Sequence, residues 1–286
     1  MTIELRHLRA FLAIAEEGAI TRAATRLRVG QPALSRTLRQ LEDHFDVRLV
    51  DRSTHHLELT AAGRRFRDQA SAAVAAVDTA LDPGSLESLP LRLGHSWAAF
   101  GDRTIPLLRR WDEAHPEVPL EIRRLDDRTG GLTTGKADVA FLRGDVVATG
   151  LVTELLVEED RLAVVPAGSD LAESDELSLS DLAEYPLVLN TVAGTTSLDL
   201  WPSDRRPATV IEVGNTDEWM TAIAAGRGNG ITTAATPSLF RHPQVAFRPL
   251  ADAPPVPLVV AWRRGTPTHR SIPDLVDLAH EIASDA

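Results

Sequence analysis

The chain has 286 residues, 43% hydrophobic and 25% charged, with a formal net charge of −11 and no cysteine. That length exceeds one average domain, and the composition belongs to a globular chain with a packed core, so disordered and fibrous classes are excluded. Without cysteine there can be no disulfide framework, thiolate metal site or thiol redox switch.

The opening MTIELRHLRAF lacks the apolar h-region of a signal peptide, and no apolar run reaches the ~18 residues of a membrane span, which predicts a cytoplasmic protein with no membrane partner. The charge is unevenly placed. Residues 1–82 carry 12 arginines against 11 acids, a net +1, and residues 83–286 carry −12. Between Glu17 and Glu42 lie Arg22, Arg26, Arg28, Arg36 and Arg39 with no acid, so a basic stripe is set inside an acidic protein. The overall sign alone would have argued against a nucleic-acid partner.

Leu5, Leu8, Phe11, Leu12 and Ala15 recur at helical spacing until Gly18 stops the run. Thr21 is placed to cap a short second helix that buries Ala23, Ala24 and Leu27. Val29-Gly30-Gln31-Pro32 then breaks the chain, and Pro32 suits the first position of a third helix, where its missing N–H would be unpaired anyway. Leu34, Leu38, Leu41 and Phe45 form that helix's apolar stripe, leaving Gln31, Ser35, Arg36 and Arg39 on its outer face. Val47, Leu49 and Val50, a polar tip Arg52-Ser53-Thr54-His55-His56, and Leu57 to Thr60 read as a small hairpin. Phe66, Ala70, Ala73, Val77 and Leu81 follow at helical spacing on an alanine-rich helix, and a stripe of that kind predicts a partner helix and hence a dimer. Pro83-Gly84 ends it.

From Pro90 onward, short apolar runs at 91–94, 119–122, 138–142, 161–166, 187–190, 209–213, 244–247 and 257–262 alternate with helical candidates, notably 102–114, 216–225 and 272–283. This predicts an α/β region with mostly parallel strands. Within it, LRLGHSWAAF places Ser96 almost where a Gly-x-Ser-x-Gly nucleophile elbow would put it. An α/β-hydrolase needs several strands before its elbow, and here those residues are spent on helices and a hairpin. Leu91 to Gly94 is better read as the first strand of a sensor, with Ser96 and Trp97 opening the next helix at a cleft.

Two short helices joined by a tight turn and followed by a hairpin form a winged helix-turn-helix pattern. A helix that enters the major groove must show hydrogen-bonding side chains at its N-terminal end. Gln31 offers donor and acceptor to a base edge, Arg36 can fork onto guanine O6 and N7, and Ser35 suits base or phosphate, with Pro32 opening the helix. Arg22, Arg39 and Arg52 are assigned to phosphates, which set register without reading sequence. The adjacent pair His55-His56 cannot comfortably face one ion from a hairpin tip and has no further ligand at metal spacing, so no metal is expected.

Residues 5 to 67, above all AITRAATRLRVGQPALSRTLRQLEDHFDVRLVDR followed by LTAAG, resemble the DNA-binding head of the LysR-type transcriptional regulators. WDEAHPEVPLEI, GKADVAFLR and AIAAGRGNGIT are similar to that family's effector-binding half. The family often has serine where this chain has Gly30, which removes a side-chain cap at small cost.

The resemblance implies an N-terminal all-α winged helix-turn-helix followed by a periplasmic-binding-protein-like domain of two α/β lobes. Its domains would be 1–60 for DNA binding, 61–82 for the linker and dimerisation helix, 83–89 for a hinge and 90–286 for effector binding. Lobe 1 would take about 90–160 and 250–286, lobe 2 about 161–249, with crossing strands near 155–166 and 247–262. It implies double-stranded DNA in dyad-related half-sites, RNA polymerase, a small-molecule effector, and a homodimer commonly assembled into a homotetramer as partners. No cofactor and no enzymatic activity are expected.

The effector pocket is predicted from Ser96, Trp97, Arg143, Asn190, Thr191, Asn215 and Thr233, because ligands of open sheets collect where strands end. Helix N-termini at Ser96 and Asn215 would favour an anionic or carboxylate ligand. Each residue has a plainer reading beside this one. Ser96 and Asn215 could be helix caps, the latter with Glu218 at capping-box spacing. Trp97 could be core, and Arg143 could pair with a nearby acid.

Overall fold

A computed structural model describes residues 3–51, 57–81, 89–146, 148–265 and 269–285. Arg52, His55 and His56 of the expected hairpin tip, and residues 83–88 of the expected hinge, lie outside the described residues. The chain divides into two units, Met1–Glu87 with Thr133–Lys136, and Ser88–Leu132 with Ala137–Ala286.

The first unit is built from α1 (Leu5–Glu17), α2 (Ile20–Leu27), α3 (Gln31–Phe45), β1 (Val50–Asp51), β2 (Glu58–Leu59) and α4 (Ala61–Ala80). Gly18 ends α1 in the left-handed conformation, φ 59°, its N–H bonded to the Ile14 carbonyl. Only Phe11 of the expected α1 stripe is fully buried; the buried face turns to Ala10, Phe11, Ala13 and Ile14, leaving Leu8 and Leu12 half covered. Ala19 rather than Thr21 precedes α2, so Thr21 lies within the helix. On α3, Leu34, Leu38 and Leu41 are buried as expected, but Phe45 is 42% exposed and packs at a tilt against Phe66, centroids 5.0 Å apart. Burial of each such leucine contributes ~1.5–3 kcal/mol, which fixes α3 against its neighbours more firmly than any exposed ion pair could.

The hairpin is present, with Val50 opposite Leu59 and Asp51 opposite Glu58. Glu42 on α3 anchors it, its carboxylate accepting the Leu49 and Val50 N–H groups at 2.9 and 3.2 Å. On α4, Ala70 is buried, whereas Ala73 and Leu81 are exposed, so its own chain does not cover the apolar stripe.

The second unit contains β3 (Leu91–His95), α5 (Thr104–Ala114), β4 (Leu120–Arg124), β5 (Val139–Arg143), β6 (Leu151–Glu159), β7 (Arg161–Pro166), α6 (Leu179–Ala183), β8 (Leu187–Asn190), β9 (Val210–Val213), α7 (Thr216–Ala224), β10 (Gly230–Thr233), α8 (Thr236–Leu239), β11 (Val245–Pro249), β12 (Val256–Arg263) and α9 (Ile272–Ser284). One lobe is a five-stranded sheet in the order β4-β3-β5-β12-β6, with Leu91, Leu93, Val139, Phe141, Leu258 and Val260 packed against Leu107 and Trp111 of α5 and Leu275, Val276 and Ala279 of α9. The other lobe holds β10-β7-β11 and the pair β8-β9. The chain passes between lobes twice, from β6 to β7 through Asp160 and from β11 to β12.

The expectation of mostly parallel strands is corrected. β3 runs parallel to β4 and β5, and β8 to β9, but β12 is antiparallel to β5 and β6, and β7 to β10 and β11. The crossings are the cause: β12 re-enters the first lobe from the second and inserts between strands that run the other way. Among the described residues no helix is long and apolar enough to cross a membrane.

Candidate functional site

In the first unit, Arg28 and Val29 close the turn between α2 and α3. Arg28 takes the left-handed conformation, φ 55°, and the Val29 N–H bonds to the Ala24 carbonyl at 3.0 Å. Gly30 then serves as a cap without a side chain, its carbonyl accepting the Ala33 and Leu34 N–H groups. Gln31 and Pro32 open α3 exposed, and Arg36 and Arg39 are exposed further along the same helix, while Ser35 is half covered. Gln31 Nε2 reaches Ser35 Oγ only at 3.5 Å, a marginal contact that leaves its amide available. Among the described residues Arg36 and Arg39 make no ion pair. Arg22 differs: its guanidinium folds back onto the Glu17 carbonyl, Nε at 3.0 Å, with the Glu17 carboxylate at 3.9 Å. Arg52 lies outside the described residues.

In the second unit a cleft between the two sheets encloses about 50 Å³, room for roughly four water-sized groups. Ser96, Trp97 and Arg143 line it from one lobe, and Asn190, Thr195, Thr216, Thr232 and Thr233 from the other, with Val188, Trp219 and Ile231 as apolar wall. Of the seven residues expected there, Thr191 and Asn215 do not line it. Thr191 is exposed, its hydroxyl donating to the Val213 carbonyl at 3.4 Å. Asn215 caps α7, accepting the Glu218 N–H at 2.9 Å, while Glu218 accepts from Gly214 rather than closing the box on Asn215.

Ser96 and Trp97 do not open a helix. Ala98 and Ala99 follow them with φ of 52° and 35°, a turn at Gly101–Arg103 comes next, and α5 starts only at Thr104. Trp97 instead bridges the lobes: its indole N–H donates to Thr236 Oγ1 at 3.2 Å and its ring stacks on Phe240, centroids 3.7 Å apart. Arg124 lies over the same ring at 5.5 Å, a cation–π distance. Asn190 shapes its own turn, its Oδ1 accepting the Val192 and Ala193 N–H groups at 3.0 and 3.2 Å. Thr233 is 2% exposed, and its hydroxyl has no partner among the described residues.

The charges in the cleft wall are not equivalent. Arg143 is fully engaged, forking onto Glu159 at 2.7 and 2.8 Å and donating Nη1 to the Trp97 and Ala99 carbonyls at 2.7 and 2.9 Å. Its plainer reading, a partner for a nearby acid, is the one its contacts fit. His95, beside Ser96, is pushed down to about 4 by burial first and by Arg143 and Arg124 next, so its ring is neutral at neutral pH. Sequence reasoning passed over the threonines at 195, 196, 216 and 232. They carry no charge and no motif, and the turn after β8, the start of α7 and the end of β10 bring them together.

Residues 5–64 match the family described as bacterial regulatory helix-turn-helix protein, lysR family, and residues 84–284 match the LysR substrate binding domain. The chain is 33% identical over 253 residues to the uncharacterized HTH-type transcriptional regulator YnfL of Escherichia coli K12, covering 82% of this chain and 84% of that one. It is 30% identical to the HTH-type transcriptional regulator ShiR of Corynebacterium glutamicum, covering 92% and 94%. Among solved structures it is similar in fold to CbnR, a LysR family transcriptional regulator, with a TM-score of 0.64, 24% identity and coverage of 98% and 99%. With the helix-turn-helix and the two-lobed cleft in place, these likenesses settle the assignment: the chain belongs to the LysR family, a transcriptional regulator with a DNA-binding domain and an effector-binding domain, and not an enzyme.

Proposed function

We propose that this regulator binds a dyad-symmetric promoter site as a homodimer paired through α4 and assembled further into a homotetramer, and changes transcription by RNA polymerase when a small-molecule effector enters the cleft between its lobes. Residues 1–60 bind DNA, 61–82 pair the copies, 83–89 act as the hinge, and 90–286 sense the effector in the cytoplasm. The observation that carries the DNA half is the exposed N-terminal end of α3, where Gln31, Arg36 and Arg39 stand without ion-pair partners among the described residues. Gln31 and Arg36 read bases, Ser35 and Pro32 set the approach, and Arg39, Arg22 and Arg52 hold phosphates; Arg22 must first leave the Glu17 carbonyl. A full-length CbnR solved with its target DNA supports the fold as one that docks on a duplex.

The effector half rests on the cleft, where Ser96, Asn190 and Thr233 offer hydrogen-bonding groups beside the Trp97 and Trp219 rings. Arg143 fixes the wall rather than the ligand. The test is a gel shift of the full chain on the DNA upstream of its own gene, with Ser96→Ala and Thr233→Val compared for response to added metabolites. Retardation at low salt with loss of the response in both variants is expected. A chain that fails to retard that DNA, or variants that respond as the parent does, would overturn the respective half.

A further inference from the structure

We propose that the effector is a small anion, a short-chain monocarboxylate, and that Arg161 supplies the positive charge that selects it. The inference rests on the cleft being the effector site.

Arg161 opens β7 and is 8% exposed. Its Nε donates to the Pro254 carbonyl at 2.8 Å and its Nη1 to the Thr195 carbonyl at 3.1 Å. Those are two of five N–H donors, both given to neutral oxygens. Among the described residues no carboxylate pairs with it, and burial alone pushes its pKa below the usual arginine value. A buried guanidinium without a counter-charge is costly, and an incoming anion removes that cost.

Arg161 does not itself line the cleft, and two neighbours that do connect its charge to it. Thr195, which Arg161 holds by its carbonyl, lines the pocket. Arg161 lies directly opposite Thr233 in the antiparallel pair of β7 and β10, so the two side chains share one face of the sheet. Thr233 also lines the pocket, and its buried hydroxyl lacks a partner among the described residues. An orphaned hydroxyl and an uncompensated guanidinium thus stand side by side behind one wall. A carboxylate accepts from both, and a charge-assisted bond of this kind favours it over the isosteric amide. The opposite wall supplies no such charge, because Arg143 is already neutralised by Glu159. The cavity of about 50 Å³ limits the ligand to a few heavy atoms in this arrangement of the lobes.

The test uses the full-length protein and two matched series: acetate, propionate, glycolate and lactate, and the corresponding amides. Thermal midpoints and calorimetric titrations are measured for the parent, Arg161→Gln and Arg161→Lys. The acids are expected to raise the parent's midpoint while the amides do not. Arg161→Gln should weaken acid binding about tenfold or more, and Arg161→Lys should retain most of it. If Arg161→Gln does not fold, the acid-over-amide preference of the parent and the behaviour of Arg161→Lys decide the matter. Amides binding as well as acids, or acids binding Arg161→Gln unchanged, would overturn the charge assignment and leave the cleft intact. Binding by either series that Ser96→Ala and Thr233→Val do not alter would overturn the cleft itself, and a parent that no acid stabilises overturns both.

Discussion

The pairing of Arg143 with Glu159 lends itself to a double-mutant cycle. Their side chains are 4% and 7% exposed and joined by two short bonds. Glu159→Leu leaves the guanidinium buried without its counter-charge, which costs ~3–5 kcal/mol for pairs of this kind. Arg143→Met strands the Glu159 carboxylate and also removes the donors to the Trp97 and Ala99 carbonyls, so a loss of at least the same ~3–5 kcal/mol is expected. The double variant Arg143→Met/Glu159→Leu strands no charge, and its cost falls to that of the two carbonyls, about 2–3 kcal/mol. The coupling energy is therefore about 3–8 kcal/mol. All five tryptophans, at 97, 111, 201, 219 and 262, belong to the second unit, so urea unfolding followed by tryptophan fluorescence reports this unit without contribution from the first. Single-variant losses that add to within about 0.5 kcal/mol in the double variant would show that the two residues do not act as a unit, and Arg143 would again be a candidate for the ligand's counter-charge.

On DNA, Gln31→Ala and Arg36→Ala should each relax base preference by ~1–3 kcal/mol, whereas Arg39→Ala should weaken every sequence alike and lower the salt slope by about one; equal losses of specificity in competition gel shifts would refute that division of roles. His95 gives a pH dependence. Its folded value of about 4 lies below the unfolded ~6.5, so the folded state binds fewer protons, and the stability it permits is complete above the unfolded value and lost as pH falls toward the folded one. Allowing for partial solvent access, the parent should lose about 2 kcal/mol between neutral and mildly acidic pH, and His95→Gln should flatten that part of the urea-midpoint profile; an unchanged profile counts against it. Gly94→Ala would place a Cβ 1.9 Å from the Gly130 carbonyl oxygen and 2.8 Å from the Ala137 Cβ, so a loss of about 3 kcal/mol or more is expected, and a thermal midpoint equal to the parent's would show that the two backbones can part freely.

What the sequence disclosed follows from the range over which each feature is encoded. The four helices of the first unit were legible because apolar spacing, Gly18 and the Gly30-Gln31-Pro32 break act within a few residues. The errors there were at edges, where a threonine that can cap was assigned to do so although the helix had begun one residue earlier. The eight short apolar runs of the second unit all correspond to strands, yet β6 is absent from them, its second half entering only through the crossing strand near 155–166 that the resemblance implies, because Thr153, Glu154, Glu158 and Glu159 interrupt its apolar residues, and β10 is absent because Gly230-Ile231-Thr232-Thr233 continues a glycine-rich turn. Strand direction was misjudged because it depends on where the chain crosses between sheets, which no local pattern records. Ser96 and Trp97 failed as a helix opening because two alanines take positive φ after them, a conformation their identity does not advertise.

The two arginines that flank Glu159 show most clearly how topology assigns charge. In an uninterrupted strand Glu159 and Arg161 would point to the same face, and Arg161 would compete with Arg143 for the one carboxylate. The chain instead leaves its sheet at Asp160, so Glu159 ends a strand of one lobe and Arg161 opens a strand of the other. β12 then completes the separation: Glu159 lies opposite Val256 on one flank and Arg143 opposite Leu258 on the other, two residues along the same strand and therefore on the same face. That offset delivers the carboxylate to Arg143 across sixteen residues of sequence, and leaves Arg161 two residues away from the same acid with only carbonyl oxygens for company. A single peptide between the lobes thus decides which guanidinium is structural and which retains a charge for a ligand to meet.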